Sequence, residues 1–120
     1  MQTYKELIVW QKSFQLVLLL YKATSHFPKD ELYGLTSQIR RAGIAIPSNI
    51  AEGYARKHRK EYIQFLSVAY GSGAELETQL LVIKELKYSS EEEYLKLNSL
   101  LDEIMKMLNK MLFTLRSTNG

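Results

Sequence analysis

The stretch of the sequence best suited to a chemical role is a basic tract that runs from residue 56 to residue 60. Its members, in chain order, are Arg56, Lys57, His58, Arg59 and Lys60. Lysine and arginine side chains neutralise nucleic-acid phosphates and release their counterions, which gives an affinity that depends on salt rather than on base sequence. The aromatic rings of Tyr54 and Tyr62, which flank the tract, can stack on unpaired bases. The tract therefore predicts contacts with RNA or DNA.

The positive charge of the chain is concentrated around this tract. Between residues 36 and 60, six basic residues accompany a single acidic residue, Glu52, so this segment carries a formal charge of +5. The rest of the chain has ten basic and twelve acidic residues, and the net charge of the whole chain is only +3. Such an asymmetry raises the hypothesis of a polyanionic partner. The alternative is that these charges only keep a helix face and a loop hydrated.

Two roles are open for Arg40 and Arg41. If the second and third helices fold back on each other, both arginines are level with Glu75, and a guanidinium can form a bidentate pair with that carboxylate. Gly43 would then be level with Gly71, so the two backbones could approach closely. The other role is direct contact with nucleic acid, with both arginines lining a channel in an oligomer.

The sequence lacks the residues that most enzyme chemistries need. It contains no cysteine, which excludes disulfides, thiolate zinc sites and a cysteine nucleophile. Neither His26 nor His58 lies three residues after a glutamate, the spacing that metal sites in helical bundles use. We therefore predict no catalytic residues, no metal site and no cofactor, and a protein that is not an enzyme.

One polar pair, Asn49 and Glu52, could still form a carboxamide–carboxylate site. The favoured interpretation is structural. Pro47 supplies no backbone N–H, so the Asn49 side chain can bond a carbonyl that the proline leaves free. Glu52 lies four residues before Arg56, which is the spacing of an ion pair on one helix face.

The apolar periodicity predicts four amphipathic helices, over approximately residues 4–25, 30–55, 58–87 and 90–116. Pro47 lies inside the second helix, where we expect a kink. With short loops and no alternating strand pattern, these helices form an all-α, up-down-up-down antiparallel four-helix bundle that makes a single domain over residues 1–120. On the first helix the predicted core stripe is Leu7, Trp10, Phe14, Val17, Tyr21 and Thr24.

The first and fourth helices carry more apolar residues than one core stripe needs. The additional residues are Leu16, Leu18, Leu19, Leu20, Met105, Met107, Leu112 and Phe113. A monomer would leave part of this surface in water, so we predict a homo-oligomer in which both helices contribute to the interface. The N-terminus has no basic leader, and the longest apolar run, residues 16–21, is too short to span a bilayer. These features predict no membrane association and a cytoplasmic location.

Three long motifs resemble one known family. They are LIVWQKS at residues 7–13, HFPKDELYGLTSQIRRAGIAIPSNIAEGYAR at 26–56 and EYIQFLSVAYGSGAELETQL at 61–80. They are similar to the four-helix bundle family that is also called the 23S rRNA intervening sequence protein family, and the resemblance covers residues 4–115. The residues that match the family motifs are Tyr33, Gly34, Leu35, Gln38, Arg40, Arg41, Asn49, Glu52, Gly53, Gly71, Ser72, Glu75 and Glu77.

The resemblance implies properties that residue spacing does not show. It implies a left-handed bundle that assembles as a homopentamer around a central channel. Some members are encoded within intervening sequences of bacterial 23S rRNA genes. A relative, the accessory protein of diversity-generating retroelements, is a basic pentameric barrel that binds nucleic acid and a reverse transcriptase. The chain departs from the family at His58, where members commonly have serine or threonine as the cap of the third helix.

Together these observations predict a non-enzymatic, oligomeric nucleic-acid-associated protein that binds rRNA or another RNA or DNA and is associated with ribosomes. The residues predicted to contact nucleic acid are Arg40, Arg41, Arg56, Lys57, Arg59 and Lys60. The alternative is a protein–protein scaffold or adaptor that has no nucleic-acid role and uses its apolar surface alone.

Overall fold

Four long helices make up most of the structure, a computed structural model that describes residues 3–117. They are α1 (Ile8–Thr24), α2 (Leu35–Arg56), α3 (Arg59–Glu85) and α4 (Glu91–Ser117). Short 3-10 turns at Tyr4–Glu6 and Lys29–Glu31 precede α1 and α2. The described residues contain no strand, so the all-α prediction is confirmed. The first two and last three residues of the predicted domain lie outside the described range.

The helices pack as a rod in which each contacts two neighbours. Helix α1 packs against α2 and α4, and α3 packs against the same two helices, whereas within residues 3–117 no Cα atoms of the diagonal pairs come within 8 Å of each other. This is the arrangement of the predicted up-down-up-down bundle, and the rod measures 49 × 21 × 20 Å. Within the described chain, no helix combines the length and the apolar character that crossing a bilayer requires.

The face that α1 turns to the core differs from the predicted one. Of the predicted stripe, only Thr24 is buried; the inward residues are Val9, Ser13, Leu16, Leu20, Ala23 and Thr24. The two stripes are offset by one residue, which is a rotation of about 100° around the helix axis. Because α1 is apolar on both sides, periodicity alone fits either stripe. The consequence is that Trp10, Phe14 and Tyr21 lie on the outer side of α1, where Phe14 and Tyr21 are exposed and Trp10 is half-buried.

The apolar residues predicted to be in excess divide between the core and the surface. Leu16, Leu20, Met105 and Leu112 are buried in the core, so these four do not belong to the part of the surplus that was expected to lie in water. Leu18 and Phe113 are exposed, with 58% and 73% of their surface accessible. Fewer of these apolar residues are therefore exposed than predicted. The exposed apolar surface also includes aromatic residues of α1 that were predicted to lie in the core.

Helix α2 begins at Leu35 and not, as predicted, at residue 30. The carboxylate of Glu31 caps its first turn. The Leu35 amide donates to Glu31 Oε1 at 3.3 Å, and the hydroxyl of Tyr88 donates to Glu31 Oε2 at 3.0 Å. Gly34 lies beside this carboxylate, where an added Cβ would come within 3.1 Å of Glu31 Oε1. The cap thus ties the start of α2 to the loop between α3 and α4.

Helix α2 continues through Pro47, which is buried. The Asn49 side chain donates to the carbonyl of Ala45 at 2.7 Å. Asn49 is therefore bonded to the backbone of its own helix, but the expectation that it bonds the carbonyl freed by Pro47 is wrong, because that carbonyl belongs to Gly43. The expected kink at Pro47 stays a prediction.

The close approach of α2 and α3 occurs at Gly53, not at the level of Gly43 and Gly71 as predicted. A Cβ on Gly53 would lie 2.8 Å from Phe65 Cβ and 3.1 Å from Tyr62 Cδ1, both on α3. Gly43 instead faces Leu20 of α1, and a Cβ on Gly71 would meet no atom within 4 Å. The spacing between α2 and α3 therefore depends on the missing side chain at Gly53.

We expect opposite effects from alanine at two of these glycines. Gly53→Ala should lower the free energy of unfolding by about 1–3 kcal/mol, because the new methyl group forces α2 and α3 apart. Gly71→Ala should raise it by about 0.5–1 kcal/mol, since alanine has the higher helix propensity and its Cβ enters open space. Urea denaturation followed by circular dichroism measures both. A loss of stability in Gly71→Ala equal to that in Gly53→Ala would contradict the assignment.

Candidate nucleic-acid interface

Positive charge collects at one end of the bundle, where α2 and α4 end and α3 begins. Five of the exposed cations there define the basic end: Lys57, Arg59, Lys60, Lys110 and Arg116. Three of them belong to the basic tract of the sequence. Lys110 and Arg116 come from the last turns of α4, about fifty residues further along the chain. Sequence analysis did not assign them to the site because only the antiparallel packing of α4 brings them there.

The link between α2 and α3 consists of Lys57 and His58 alone. Lys57 has a left-handed backbone, with φ 60° and ψ 26°, and ends α2. His58 is extended and begins α3 without a side-chain cap. A left-handed conformation at a helix end is usually taken by glycine, and a lysine there costs about 1–2 kcal/mol more. The short link at the tip of the bundle leaves both side chains exposed.

Arg56 is the member of the tract whose charge is most fully balanced. It pairs with Glu52 at 2.8 Å and with Glu61 at 3.8 Å, and its guanidinium lies 5.1 Å from the centre of the Phe65 ring. The hydrogen bond from Arg56 to Glu52 raises the pKa of Arg56 above its ordinary value. The predicted Glu52–Arg56 pair is confirmed, and Arg56 is therefore tied to its own helix and to α3.

The lysines of the basic end, unlike Arg56, are not paired with carboxylates. Lys57, Lys60 and Lys110 form no ion pair with a carboxylate between residues 3 and 117. Arg116 donates to the hydroxyl of Ser67 at 3.0 Å, which is a neutral partner and leaves the charge in place. The net field at this end of the bundle is accordingly positive.

A pocket of about 480 Å³ lies between the α2–α3 link and the end of α4. Its floor includes the rings of Tyr54 and Tyr62, which meet edge to face with centroids 6.1 Å apart. Arg59 donates to the Leu115 carbonyl at 3.3 Å, so α4 forms one wall, and residues 57–59 form the rim. Burial raises the pKa of the Tyr62 hydroxyl above its ordinary value, with a smaller contribution from Tyr54. The pocket, called here the tyrosine pocket, therefore combines a neutral aromatic floor with a cationic rim.

Phe113 is a second exposed ring at the basic end. With Lys110 and Arg116 it lines a shallow depression of about 550 Å³ on α4. Sequence analysis assigned Phe113 to a subunit interface, whereas the structure surrounds it with cations. An exposed phenylalanine among lysine and arginine can also stack on a base.

Arg40 lies away from this end and has a structural role. Its Nε donates to Thr24 Oγ1 at 2.8 Å and its Nη2 to the Tyr21 carbonyl at 3.4 Å, while the guanidinium lies 4.4 Å from the centre of the Tyr21 ring. These contacts hold the last turn of α1 against α2. The expectation that a guanidinium braces Glu75 is wrong, because Arg40 bonds to Thr24 and Tyr21 of α1 instead and, in the described chain, neither arginine forms an ion pair with Glu75. Glu75 instead accepts from Gln79 at 3.3 Å.

Arg41 is exposed and forms no ion pair within the described residues. Sixteen residues of helix separate it from Lys57, which corresponds to about 24 Å along α2. The six residues predicted to contact nucleic acid thus fall into two groups. Four lie at or beside the basic end, and Arg40 and Arg41 lie near the middle of the rod.

Because Arg40 and Arg41 are neighbours on one helix, they make a matched pair for testing this division. We expect Arg40→Gln to lower the free energy of unfolding by about 1–2 kcal/mol, through loss of its hydrogen bonds and ring contact. Arg41→Gln should change it by less than about 0.5 kcal/mol, as is usual for exposed positions. Thermal or urea denaturation provides the measurement. Equal stability of the two variants would contradict the structural role of Arg40.

Comparison with known proteins agrees with this fold. The structure is similar to that of a protein of unknown function from the S23 ribosomal protein family of Bacteroides thetaiotaomicron VPI-5482, with a TM-score of 0.81 and 24% sequence identity. The likeness covers 88% of this chain and 98% of that chain, and at this identity it shows the shared fold. No curated protein matches the chain. The family model described as 23S rRNA-intervening sequence protein matches residues 5–110, and the chain therefore belongs to that family.

Proposed function

We propose that the chain is a non-enzymatic protein that forms a homo-oligomer and binds nucleic acid, RNA above all, through its basic end. The observation that carries the proposal is the convergence of cations from α2, α3 and α4 on one end of the rod. The name of the family, which refers to an intervening sequence of 23S rRNA, agrees with RNA as the ligand. A cytoplasmic location and an association with ribosomes are part of the same proposal.

The lysines of the basic end have the properties that phosphate contacts require. Lys57, Lys60 and Lys110 are exposed, and no carboxylate within residues 3–117 pairs with them. At physiological salt the field of a surface charge extends over about 8 Å, so phosphates must approach closely to bind. Affinity that arises in this way falls steeply as salt is added. One chain supplies only a few such contacts, and several copies side by side would supply many.

An apolar surface on the long side of the rod supports the oligomer. The residues that define this aromatic face are Trp10, Phe14, Val17, Tyr21 and Ile44, from α1 and α2. Phe14, Tyr21 and Ile44 each expose between 39% and 48% of their surface. A groove of about 380 Å³ runs between Trp10 and Phe14 on α1 and Pro47 on α2. Contiguous apolar surface of this kind usually marks an interface.

A second copy of the chain is the proposed occupant of the aromatic face. In a ring with cyclic symmetry every copy has the same orientation relative to the axis. If the rods stand along that axis, all basic ends lie on one rim, which concentrates the positive charge. The homopentamer implied by the family resemblance is the ring size we propose.

The alternative function is a protein–protein scaffold, and the aromatic face is the observation that favours it. A scaffold would use this face, or a surface created by the ring, to hold another protein by apolar contacts. It would not need the basic end. Charge reversal at the basic end therefore separates the two functions, because only nucleic-acid binding should be lost.

We expect simultaneous Lys57→Glu, Lys60→Glu and Lys110→Glu substitutions to abolish RNA binding at ~50 mM salt, where electrostatic binding is strongest. The measurement is filter binding or fluorescence anisotropy over a salt series. For residual binding, the slope of log K against log salt should be less steep by about 2, since three phosphate contacts are lost.

The matched control reverses three exposed lysines at the other end of the rod, Lys22, Lys29 and Lys87. It changes the net charge by the same amount, and Lys87 has the same left-handed backbone as Lys57, with φ 61° against 60°. This control should bind RNA with at most a small loss. If both variants lose affinity equally, net charge alone is responsible and the basic end is not a site. If the unmodified protein binds neither RNA nor DNA at ~50 mM salt, the proposal is rejected in favour of the scaffold.

Phe14→Glu should dissociate the oligomer, because it places a charge in the aromatic face. Light scattering after size-exclusion chromatography should show an oligomer for the unmodified protein and a monomer for this variant. The emission of Trp10, the single tryptophan, should shift to longer wavelength as its environment becomes wetter. Val68→Glu is the control, since Val68 lies on α3, away from the aromatic face, and is 49% exposed against 48% for Phe14. A monomeric unmodified protein, or equal dissociation by both variants, would refute the interface.

A further inference from the structure

The tyrosine pocket has a composition that phosphate binding alone does not explain. Cations on an exposed helix end suffice to hold a phosphate, and yet this pocket has two tyrosine rings beneath its cationic rim. Its volume of about 480 Å³ lies within the range of small-ligand sites, about 300–1,000 Å³. An apolar ligand would not interact favourably with the cations, and a free phosphate would not stack on the tyrosine rings. A ligand with an aromatic part and an adjacent negative charge fits both.

We infer that the tyrosine pocket receives one unpaired base of a single-stranded nucleic acid, with the adjoining phosphate held by Lys57 and Arg59. This inference rests on the proposed function and makes it specific for single strands. The group that the pocket recognises is an unstacked base with its phosphate, which is present in both single-stranded RNA and single-stranded DNA. Duplex nucleic acid keeps its bases stacked, and extracting one costs a few kcal/mol, so the pocket disfavours intact duplexes.

The two rings are arranged as a platform for a planar group. The planes of Tyr54 and Tyr62 are inclined at 82°, so a base that stacks on one ring meets the edge or face of the other. Tyr62 is fixed in place by the close approach of α2, because it lies against Gly53, where an added Cβ would be 3.1 Å from Tyr62 Cδ1. A ring that is already held in position loses little conformational entropy when a ligand binds.

The charges around the pocket are arranged so that its rim stays positive. Glu52 and Glu61, the acidic residues nearest in sequence, are both paired with Arg56. Arg59 is held at the rim by its bond to the Leu115 carbonyl, beside the exposed Lys57, which also lines the pocket. The first turn of α3 has no side-chain cap, so its backbone amides and helix dipole add to the positive field.

The experiment compares two labelled strands that carry the same phosphates. One is a 12-nucleotide oligouridylate, and the other is a strand of equal length in which the bases are replaced by abasic sites. At ~50 mM salt, fluorescence anisotropy should show that the unmodified protein binds the strand with bases at least about fivefold more tightly, which is the lower limit for stacking of one base on an aromatic residue. Oligothymidylate should show the same preference over its abasic form, and a duplex of equal length should not exceed the abasic strand.

Substitution of the tyrosines locates the effect. Tyr54→Leu and Tyr62→Leu, made separately, should lower affinity for the oligouridylate towards that for the abasic strand, while affinity for the abasic strand is retained. Retained binding of the abasic strand also shows that each variant is folded. Tyr33→Leu is the control, because Tyr33 lies at the other end of the rod and is 93% exposed. It should leave affinity for both strands unchanged.

The possible failures are distinguishable. If the unmodified protein binds both strands equally well, or if the pocket variants weaken both strands to the same extent, the base-binding pocket is overturned and the electrostatic function stands. If Tyr33→Leu reduces base-dependent affinity as much as Tyr54→Leu does, stacking is not located in the pocket and the inference is likewise overturned. If neither strand binds, the proposed function fails together with the pocket.

Discussion

The close packing of α2 against α3 at Gly53 is the interaction on which the basic end depends. Because the helix backbones approach so closely there, two residues are enough to join the helices. A link of only Lys57 and His58 is too short to fold back over the bundle, so its side chains stay in water. The same approach brings Tyr54 of α2 against Tyr62 of α3. The exposed link and the aromatic floor of the site thus both depend on the missing side chain at Gly53.

Helix α1 turns several of its largest apolar side chains away from the core. Its inward face includes Ser13 and Ala23, whereas Trp10 and Phe14, which stack with centroids 5.3 Å apart, lie on the outer side. Burying large apolar side chains contributes most to folding, at about 25 cal/mol per Å². A monomer leaves Phe14 and Tyr21 partly in water and gains little from them. The outward aromatic residues are therefore understandable if association buries them, and Arg40 holds the end of α1 in the rotation that presents them.

Features that depend on local sequence were predicted correctly, whereas features that depend on contacts between distant residues were not. The bounds of α3 and α4 were predicted within two residues, because the apolar periodicity of each segment is regular along its whole length. The orientation of α1 was wrong because both its faces are apolar. The partner of Arg40 was wrong because its bonds to the end of α1 join residues more than fifteen positions apart. The start of α2 depends on Glu31, whose carboxylate is shared with Tyr88, a residue far along the chain. The basic tract was visible because its members are consecutive, whereas Lys110 and Arg116 join it only through the antiparallel packing of α4.

Association and nucleic-acid binding would be thermodynamically coupled in the proposed oligomer. Bringing the basic ends of several copies onto one rim places like charges close together, and their repulsion opposes the ring. The buried aromatic faces must offset this repulsion. A bound polyanion removes it, so a strand that spans several copies would stabilise the ring, and by linkage the ring would bind that strand more tightly than separate chains do. The exposed lysines that weaken self-association are, on this account, the same groups through which a nucleic acid strengthens it.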